Sequence, residues 1–258
     1  MRTRSGVECT NFAPMKLNLG AALMVVWLAV VAPLHAVEFS SVTNAGKRAT
    51  ICRVHLKSDR LRLYLRDDAG QPLKSFAALD RLVGRRGEKV VFAMNAGMFR
   101  PDFSPAGLFV AQGGEVVPVN LSEGDGNFFL KPNGVFVLSR SGARVVESSK
   151  YSALAEPALE ATQSGPMLVQ GGVIHPKFNL NSQSRHIRNG VGVRSTNEVV
   201  FAITEEPVTF HEFATLFRDI LGCPDALYLD GFVSGLYAPD LNRNDRRTDL
   251  GPIIAVVR

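Results

Sequence analysis

The chain has 258 residues, of which 46% are hydrophobic, and its 29 basic and 24 acidic residues give a formal net charge of +5 at pH 7. This length is enough for one large domain with its own hydrophobic core. The charge excess is mild, and no basic run or basic patch interleaved with aromatic residues occurs, so the composition argues against a nucleic-acid partner.

The N-terminal segment is typical of an export signal and is best set apart from the fold. Residues 17–34 are almost continuously apolar and follow a lone Lys16. We therefore predict a signal peptide over residues 1–36, with residues 1–14 either an artefact of the start site or a long n-region. The remaining chain, residues 37–258, would be a periplasmic or secreted domain with no stable membrane span. An uncleaved anchor is the alternative, because the apolar run only just misses spanning length.

Two cysteines, Cys52 and Cys223, remain after the signal segment. An even pair in an oxidising compartment predicts a disulfide bond. Chain-entropy theory assigns about 4–5 kcal/mol to the closure of so long a loop. Two separate buried thiols are the alternative.

Periodicity predicts strands and one helix in the first part of the domain. Alternating apolar and polar residues indicate a hairpin of two strands, residues 51–57 and 61–66. Apolar residues with helical spacing then predict a short helix over residues 76–83, with Ser75 as its N-cap. A buried strand over residues 89–94 follows.

The middle of the chain, residues 107–146, has the pattern of a meandering antiparallel sheet. Asn133 and Gly134 lie between apolar runs, which predicts a hairpin turn because both turn positions need positive φ. A second helix is predicted over residues 152–161, kinked or shortened by Pro157.

The clearest helix signal follows a predicted hairpin of residues 190–195 and 199–204. Thr209 and Glu212 have the spacing of a capping box, an apolar stripe follows, and Gly222 stands where the helix should end. Many strands with two or three helices predict an α+β fold of mostly antiparallel or mixed β-sheet in a single domain.

Polar residues cluster where the predicted strands begin or end. A buried strand over residues 226–229 runs into Asp230, where burial can shift the pKa of a carboxylate and give it acid–base work. Arg188 and Asn189 precede another strand, and Asn95 ends a third. A carboxylate, a guanidinium and amide donors together suit an anionic or polyhydroxylated substrate. The alternative is that Asp230 only caps a turn.

Six motifs in chain order carry a resemblance to a known family. They are NAGMF (95–99), PAGLFV (105–110), SGPMLVQGG (164–172), RNGVGV (188–193), VTFHEFA (208–214) and LDGFVS (229–234). In this order they resemble the phosphodiester glycosidase family, in particular its exported bacterial branch. The resemblance covers the chain from about residue 51 to residue 257 and implies that it is an enzyme.

The resemblance implies hydrolysis of a sugar-1-phosphodiester (glycosyl-phosphate) bond in an envelope or extracellular glycan, with a glycan or sugar phosphate as partner. Carried over by position, it implies the catalytic residues Asp230, Arg188 and Asn95. It also implies a substrate-binding set of Gly97, Gly165, Pro166, Gly231 and Ser234. Asn189 and Glu206 are further substrate-binding candidates, chosen from the residues themselves. In this hypothesis Arg188 holds the phosphate, and Asp230 acts as nucleophile, base or oxocarbenium stabiliser.

The sequence departs from the family pattern beside Asp230. Phe232 and Val233 replace glycines, and Ala96 replaces the middle glycine of the first loop. A non-catalytic carbohydrate- or polymer-binding protein on the same scaffold is therefore the alternative function.

No cofactor is expected, although a weak calcium pattern occurs near the C-terminus. Asp240, Asn242 and Asn244 alternate like calcium ligands, but the loop lacks the usual glycine and the final glutamate. A solvated, charge-rich loop is the alternative.

Overall fold

Three antiparallel sheets dominate residues 37–258, which are the residues that the computed structural model describes. The predicted α+β class with mostly antiparallel sheet is therefore confirmed. The predicted signal peptide, residues 1–36, lies outside the described residues. Within the described part, no helix is both long and apolar enough to cross a membrane.

The first sheet has seven strands, and Asn189 lies in one of them. In spatial order they are β1 (Glu38–Asn44), β2 (Lys47–His55), β13 (Glu198–Thr204), β12 (Asn189–Ser195), β14 (Asp225–Tyr228), β10 (Met167–Gln170) and β11 (Val173–Ile174). The predicted hairpin of residues 190–195 and 199–204 is confirmed as β12 and β13, which pair antiparallel.

The other two sheets have five strands each. The second consists of β16 (Arg243–Asn244), β15 (Leu236–Ala238), β4 (Val90–Asn95), β17 (Ile253–Val257) and β3 (Arg60–Tyr64). The third consists of β6 (Gly114–Val117), β5 (Phe109–Ala111), β9 (Glu160–Ser164), β7 (Gly134–Ser139) and β8 (Gly142–Glu147).

The hydrophobic core covers both faces of the first sheet. On one face, the Phe201 ring lies 5.0 Å from that of Phe92 in the second sheet and 6.3 Å from that of Phe136 in the third. On the opposite face, Phe213 and Phe217 belong to a separate buried cluster. Because both faces are covered, the central strands of this sheet are apolar almost throughout.

Both helices with clear caps form as predicted. Helix α1 spans Phe76–Gly84, and the Ser75 hydroxyl accepts a hydrogen bond from the Ala78 N–H at 3.2 Å. Helix α2 spans Phe210–Thr215 with the predicted capping box present, and one π-helical segment, Leu216–Ile220, extends it.

The predicted helix over residues 152–161 is wrong. A short 3₁₀ segment, Ser148–Ala153, is followed by the wholly buried strand β9. Strand β9 pairs with β5 and β7, so ladder hydrogen bonds replace helical ones beyond Pro157.

Two predicted hairpins are also wrong. Strand β2 pairs with β1 and β13, whereas β3 pairs with β17, so these consecutive strands belong to different sheets. Asn133 is not in a turn between two strands. Its buried side chain donates to the Phe128 carbonyl at 2.7 Å, and β7 begins at Gly134. In the first case long-range pairing overrides the local turn signal, and in the second a 3₁₀ turn, Asn127–Phe129, replaces the strand expected before Asn133.

The predicted disulfide between Cys52 and Cys223 is wrong. Both are free, buried thiols. Cys52 packs with the cluster between the sheets, whereas Cys223 belongs to the cluster on the opposite face of the first sheet. Successive side chains of a strand point to opposite faces, so Ile51 rather than Cys52 is on the face of Cys223.

Glu160 makes the stability of the fold depend on pH. The residue is 5% exposed, and its carboxylate accepts hydrogen bonds from the Leu63 N–H at 3.0 Å and the Gln112 N–H at 3.2 Å. Burial raises the pKa of Glu160 from 4.5 to about 7. The folded state therefore binds more protons than the unfolded state between these values, and the free energy of unfolding falls as pH rises through this window.

We expect Glu160→Gln to remove most of this fall, which is on the order of 2 kcal/mol. Urea unfolding of the variant and the wild type at pH 5 and pH 7.5 measures the difference. An equal fall in both proteins would contradict the assignment.

Candidate functional site

A buried hydrogen-bond cluster joins the first and second sheets where β4 ends and β12 begins. The Asn189 amide donates to Asn95 Oδ1 at 3.0 Å, and the Ser234 hydroxyl donates to Asn189 Oδ1 at 3.0 Å. Asn95 Oδ1 also accepts from the Gly235 N–H at 3.0 Å, while its Nδ2 donates to the Asp230 carbonyl at 2.7 Å. The cluster therefore fixes both ends of the turn of residues 230–235.

Asp230 lies at the start of this turn, two residues after β14. Its backbone N–H donates to the Ala96 carbonyl at 3.2 Å, and its carboxylate accepts from the Phe232 N–H at 3.2 Å. The side chain thus caps a 3₁₀ turn, Gly231–Val233, and is only partly exposed. Burial raises the pKa of Asp230 to about 6, opposed by the hydrogen bond from Phe232. A carboxylate with such a pKa changes charge close to neutral pH.

Arg188 is a buried cation, 1% exposed, at the end of the loop before β12. Its Nε donates to the Val208 carbonyl at 2.9 Å and its Nη2 to the Ser184 carbonyl at 3.3 Å. Within residues 37–258 it makes no salt bridge with a carboxylate. Burial lowers its pKa, an effect that Tyr228 opposes. The guanidinium nevertheless stays protonated, because arginine deprotonates only far above neutral pH.

An aromatic stack holds the Arg188 guanidinium in place. Its Cζ atom lies 3.7 Å from the centroid of the Phe210 ring and 5.4 Å from that of Tyr228. The Phe178 ring stacks on Phe210 with 4.9 Å between centroids, and His175 stacks on Phe178 at 4.7 Å. Cation–π contacts of this kind stabilise a desolvated cation without neutralising it.

Tyr228 connects the two charged groups. Burial raises its pKa, Arg188 lowers it and Asp230 raises it, so both charges act on one hydroxyl. The hydroxyl also lies against Gly231, where a Cβ atom would come within 1.6 Å of the Tyr228 oxygen. Only glycine permits this approach, so the turn that carries Asp230 can lie directly on Tyr228.

The remaining predicted glycine and proline positions support the site through the backbone. The Pro166 carbonyl, which follows a cis Gly165–Pro166 peptide bond, accepts from the Tyr228 N–H at 3.1 Å. The Gly97 N–H donates to the Thr162 hydroxyl at 3.1 Å. The first contact joins the residue before β10 to β14, which leads into the Asp230 turn, and the second joins the loop after β4 to β9.

We expect Gly97→Ala to destabilise the fold by about 1–3 kcal/mol. A Cβ atom at Gly97 would lie 2.3 Å from the Gln163 backbone oxygen, which cannot move without disturbing β9. Gly84→Ala is the matched control, because a Cβ atom there meets nothing within 4 Å. Thermal unfolding compares the two variants, and equal melting temperatures would contradict the prediction.

Glu206 does not join the site in this geometry. Its carboxylate accepts from the Arg48 backbone N–H at 2.7 Å and pairs with the Arg48 Nε at 3.3 Å. These contacts, the backbone hydrogen bond foremost, lower the pKa of Glu206. A carboxyl group with a lowered pKa is a poor proton donor at neutral pH.

Two of the calcium candidates, Asp240 and Asn242, lie on the connection between β15 and β16, and the third, Asn244, lies in β16. Asp240 is exposed, Asn242 has a left-handed φ of 51°, and Asn244 pairs with Tyr237 in the sheet. Among residues 37–258, no three His, Cys, Asp or Glu side chains are grouped to hold a metal ion. The absence of a cofactor, with calcium as the weaker alternative, stays a prediction.

The contacts of Arg188 with its aromatic neighbours are not predicted by the sequence; these neighbours are Tyr228, Phe210, Phe178 and His175. Tyr228 lies in the predicted buried strand and Phe210 in the predicted apolar stripe of α2. The available signal was an aromatic residue two positions before Asp230 and another directly after the N-cap of α2.

Comparisons with known proteins agree with this architecture. A family model described as phosphodiester glycosidase matches residues 88–255. The uncharacterized protein YigE of Escherichia coli (strain K12) is 32% identical over 207 residues, which cover 80% of this chain and 81% of that protein.

Two solved structures share the fold. The catalytic domain of zebrafish N-acetylglucosamine-1-phosphodiester alpha-N-acetylglucosaminidase, auto-inhibited by its pro-peptide, has a TM-score of 0.59 at 14% identity, over 86% of this chain and 82% of that one. A hypothetical protein from Synechocystis has a TM-score of 0.51 at 14% identity, over 85% of this chain and 61% of that one. At these identities the likeness is one of fold.

Proposed function

This chain belongs to the phosphodiester glycosidase family, and on that premise we propose that it hydrolyses the bond between a sugar and a phosphodiester group in an envelope or extracellular glycan. The export that this location requires rests on the predicted signal peptide, residues 1–36. The sugar is linked through its anomeric carbon, and the products are the free sugar and a phosphate monoester.

The observation that carries this proposal is the buried Arg188, which has no carboxylate partner among residues 37–258 and acts on the same Tyr228 hydroxyl as Asp230. Placing a cation out of water without a counter-ion costs several kcal/mol, and carbonyl groups and aromatic rings offset only part of that cost. An anionic phosphate group supplies the missing counter-charge. The guanidinium is also the side chain best suited to phosphate, because it presents several donors in one plane.

Asp230 then acts on the sugar. When the C1–O bond breaks, its electron pair leaves with the phosphate oxygen, and positive charge develops at C1. The ionised Asp230 carboxylate either stabilises that charge, attacks C1, or takes a proton from the water that adds to C1. The phosphate monoester that leaves has a second pKa of about 6, so it departs without a strong proton donor. This reaction therefore does not require Glu206.

Asn95 and Asn189 act in this account as positioning residues. Their amides hydrogen-bond one another and the ends of the 230–235 turn. A carboxylate held in this way keeps one orientation relative to Arg188, which lowers the cost of reaching the reactive geometry.

A release assay tests the proposal. The purified protein is incubated with a panel of sugar 1-phosphodiesters that differ in the sugar, and free sugar and phosphate monoester are quantified. Equal release of both products from at least one substrate supports the proposal. Saturable binding of the same compounds without release would support the non-catalytic alternative instead.

A further inference from the structure

Phe232 stands out on the Asp230 turn because its side chain is 92% exposed. Among residues 37–258 it is the most exposed of the large hydrophobic side chains. Burying a phenylalanine contributes about 1.5–3 kcal/mol to stability, and Phe232 contributes almost none of this. Single exposed apolar residues are common, so the exposure of Phe232 is not evidence of a function by itself. Its position on the turn that carries Asp230 is the informative feature.

The position of Phe232 is fixed by its neighbours. Its N–H holds the Asp230 carboxylate, and the next residue, Val233, is 4% exposed and packs in the cluster around α1. The Ser234 N–H then donates to the Gly231 carbonyl at 3.4 Å. With Val233 inside and the turn fixed at both ends, the ring of Phe232 remains in solvent, on the residue whose N–H binds the Asp230 carboxylate.

We propose that Phe232 is a platform for the sugar ring of the substrate and a determinant of sugar specificity. A pyranose presents C–H groups on its faces and hydroxyls at its rim, and the face of an aromatic ring carries negative charge that attracts C–H groups. The same charge repels a phosphate, which Arg188 attracts. This inference rests on the proposed function. The sugar that stacks on Phe232 is the same sugar whose anomeric carbon reacts with the help of Asp230.

Tryptophan fluorescence tests the platform without relying on catalysis. Trp27 is the only tryptophan in the chain, so a full-length Trp27→Phe/Phe232→Trp variant reports from position 232 alone. It is titrated with a panel of sugar 1-phosphates, inorganic phosphate and an alkyl phosphate. We expect a saturable change with at least one sugar 1-phosphate and no change with the other two probes.

A matched control carries the tryptophan elsewhere. Val116 is 58% exposed on β6 of the third sheet, and the Trp27→Phe/Val116→Trp variant should respond to none of the probes. A response of Phe232→Trp to the alkyl phosphate alone would overturn the proposal in favour of an apolar aglycone. No response to any sugar 1-phosphate would also overturn it.

Kinetics separate this inference from the proposed function. If wild type releases sugar, Phe232→Ala should raise KM threefold to about tenfold, with Phe232→Trp close to wild type. An unchanged KM in Phe232→Ala would overturn the platform and leave the proposed function intact. If wild type releases nothing, the proposed function fails, and the fluorescence titration still decides whether position 232 contacts a sugar.

Discussion

Asp230→Asn is expected to lower kcat for sugar-1-phosphodiester hydrolysis by about 10²–10⁴-fold. Asparagine keeps the size of the side chain and the oxygen that accepts from the Phe232 N–H, but it carries no negative charge at any pH. It can neither stabilise positive charge at C1 nor take a proton from water. Release assays on the wild type and the variant measure the effect, and a kcat within tenfold of wild type would remove Asp230 from the mechanism.

The same variant should be more stable than the wild type at pH 7. The pKa of Asp230 is about 6 in the folded protein and 3.8 without the fold. The folded state therefore binds more protons between these values, and the stability of the wild type falls as pH rises through the window. Asparagine removes this penalty, which is on the order of 1–3 kcal/mol above pH 6. Urea unfolding at pH 7 tests this, and a destabilised variant would mean that the lost activity reflects a damaged fold.

Arg188→Met is expected to lower kcat/KM by about 10²–10³-fold, because the phosphate loses its cation and its hydrogen-bond donors. Methionine fills a similar volume, so the fold should persist. Removing a buried cation that has no carboxylate partner among the described residues also removes its desolvation cost, which offsets the loss of its hydrogen bonds to the Val208 and Ser184 carbonyls. Arg188→Lys should restore part of the activity, because lysine keeps the charge but not the planar group that stacks on Phe210.

Arg185→Met is the matched control for Arg188→Met. Arg185 is three residues away and exposed, and its guanidinium pairs with the Glu212 carboxylate at 2.7 Å. Its charge is thus already neutralised at the surface, and kcat/KM should stay within about twofold of wild type. Equal losses in both variants would show that general positive charge, rather than Arg188, attracts the substrate.

Local sequence signals predicted the parts of the site that depend on one element. Asp230 follows a short apolar strand, and Arg188 and Asn189 precede another, so their places at strand ends could be predicted without the fold. The caps at Ser75 and Thr209 were also predictable, because each depends on residues within four positions.

The contacts between distant elements could not be predicted in this way. Asn95 and Asn189 are 94 positions apart, and their hydrogen bond exists only because two sheets meet. Asn95 was predicted to be catalytic, yet it is 1% exposed and its amide is used within the protein. The stack of Phe210 on Arg188 likewise joins two elements, and nothing local distinguishes Phe210 from an ordinary core residue.

Sheet membership limited the other predictions. Strands β2 and β3 are adjacent in sequence and have hairpin patterns, but each satisfies its backbone hydrogen bonds with strands far along the chain. The same topology places Cys52 and Cys223 on opposite faces of one sheet. Periodicity gives the face of a residue within its strand, but it does not say which strand lies beside it.

Hydrolysis in water enriched in ¹⁸O tests most directly whether this protein breaks the bond between the sugar and the phosphate. Attack at C1 leaves every phosphate oxygen in place, whereas attack at phosphorus introduces one oxygen from water. Phosphorus NMR of the products distinguishes the two by the isotope shift. We predict a phosphate monoester that contains no ¹⁸O, and a labelled phosphate would contradict the account by identifying the protein as a phosphodiesterase that cleaves the P–O bond.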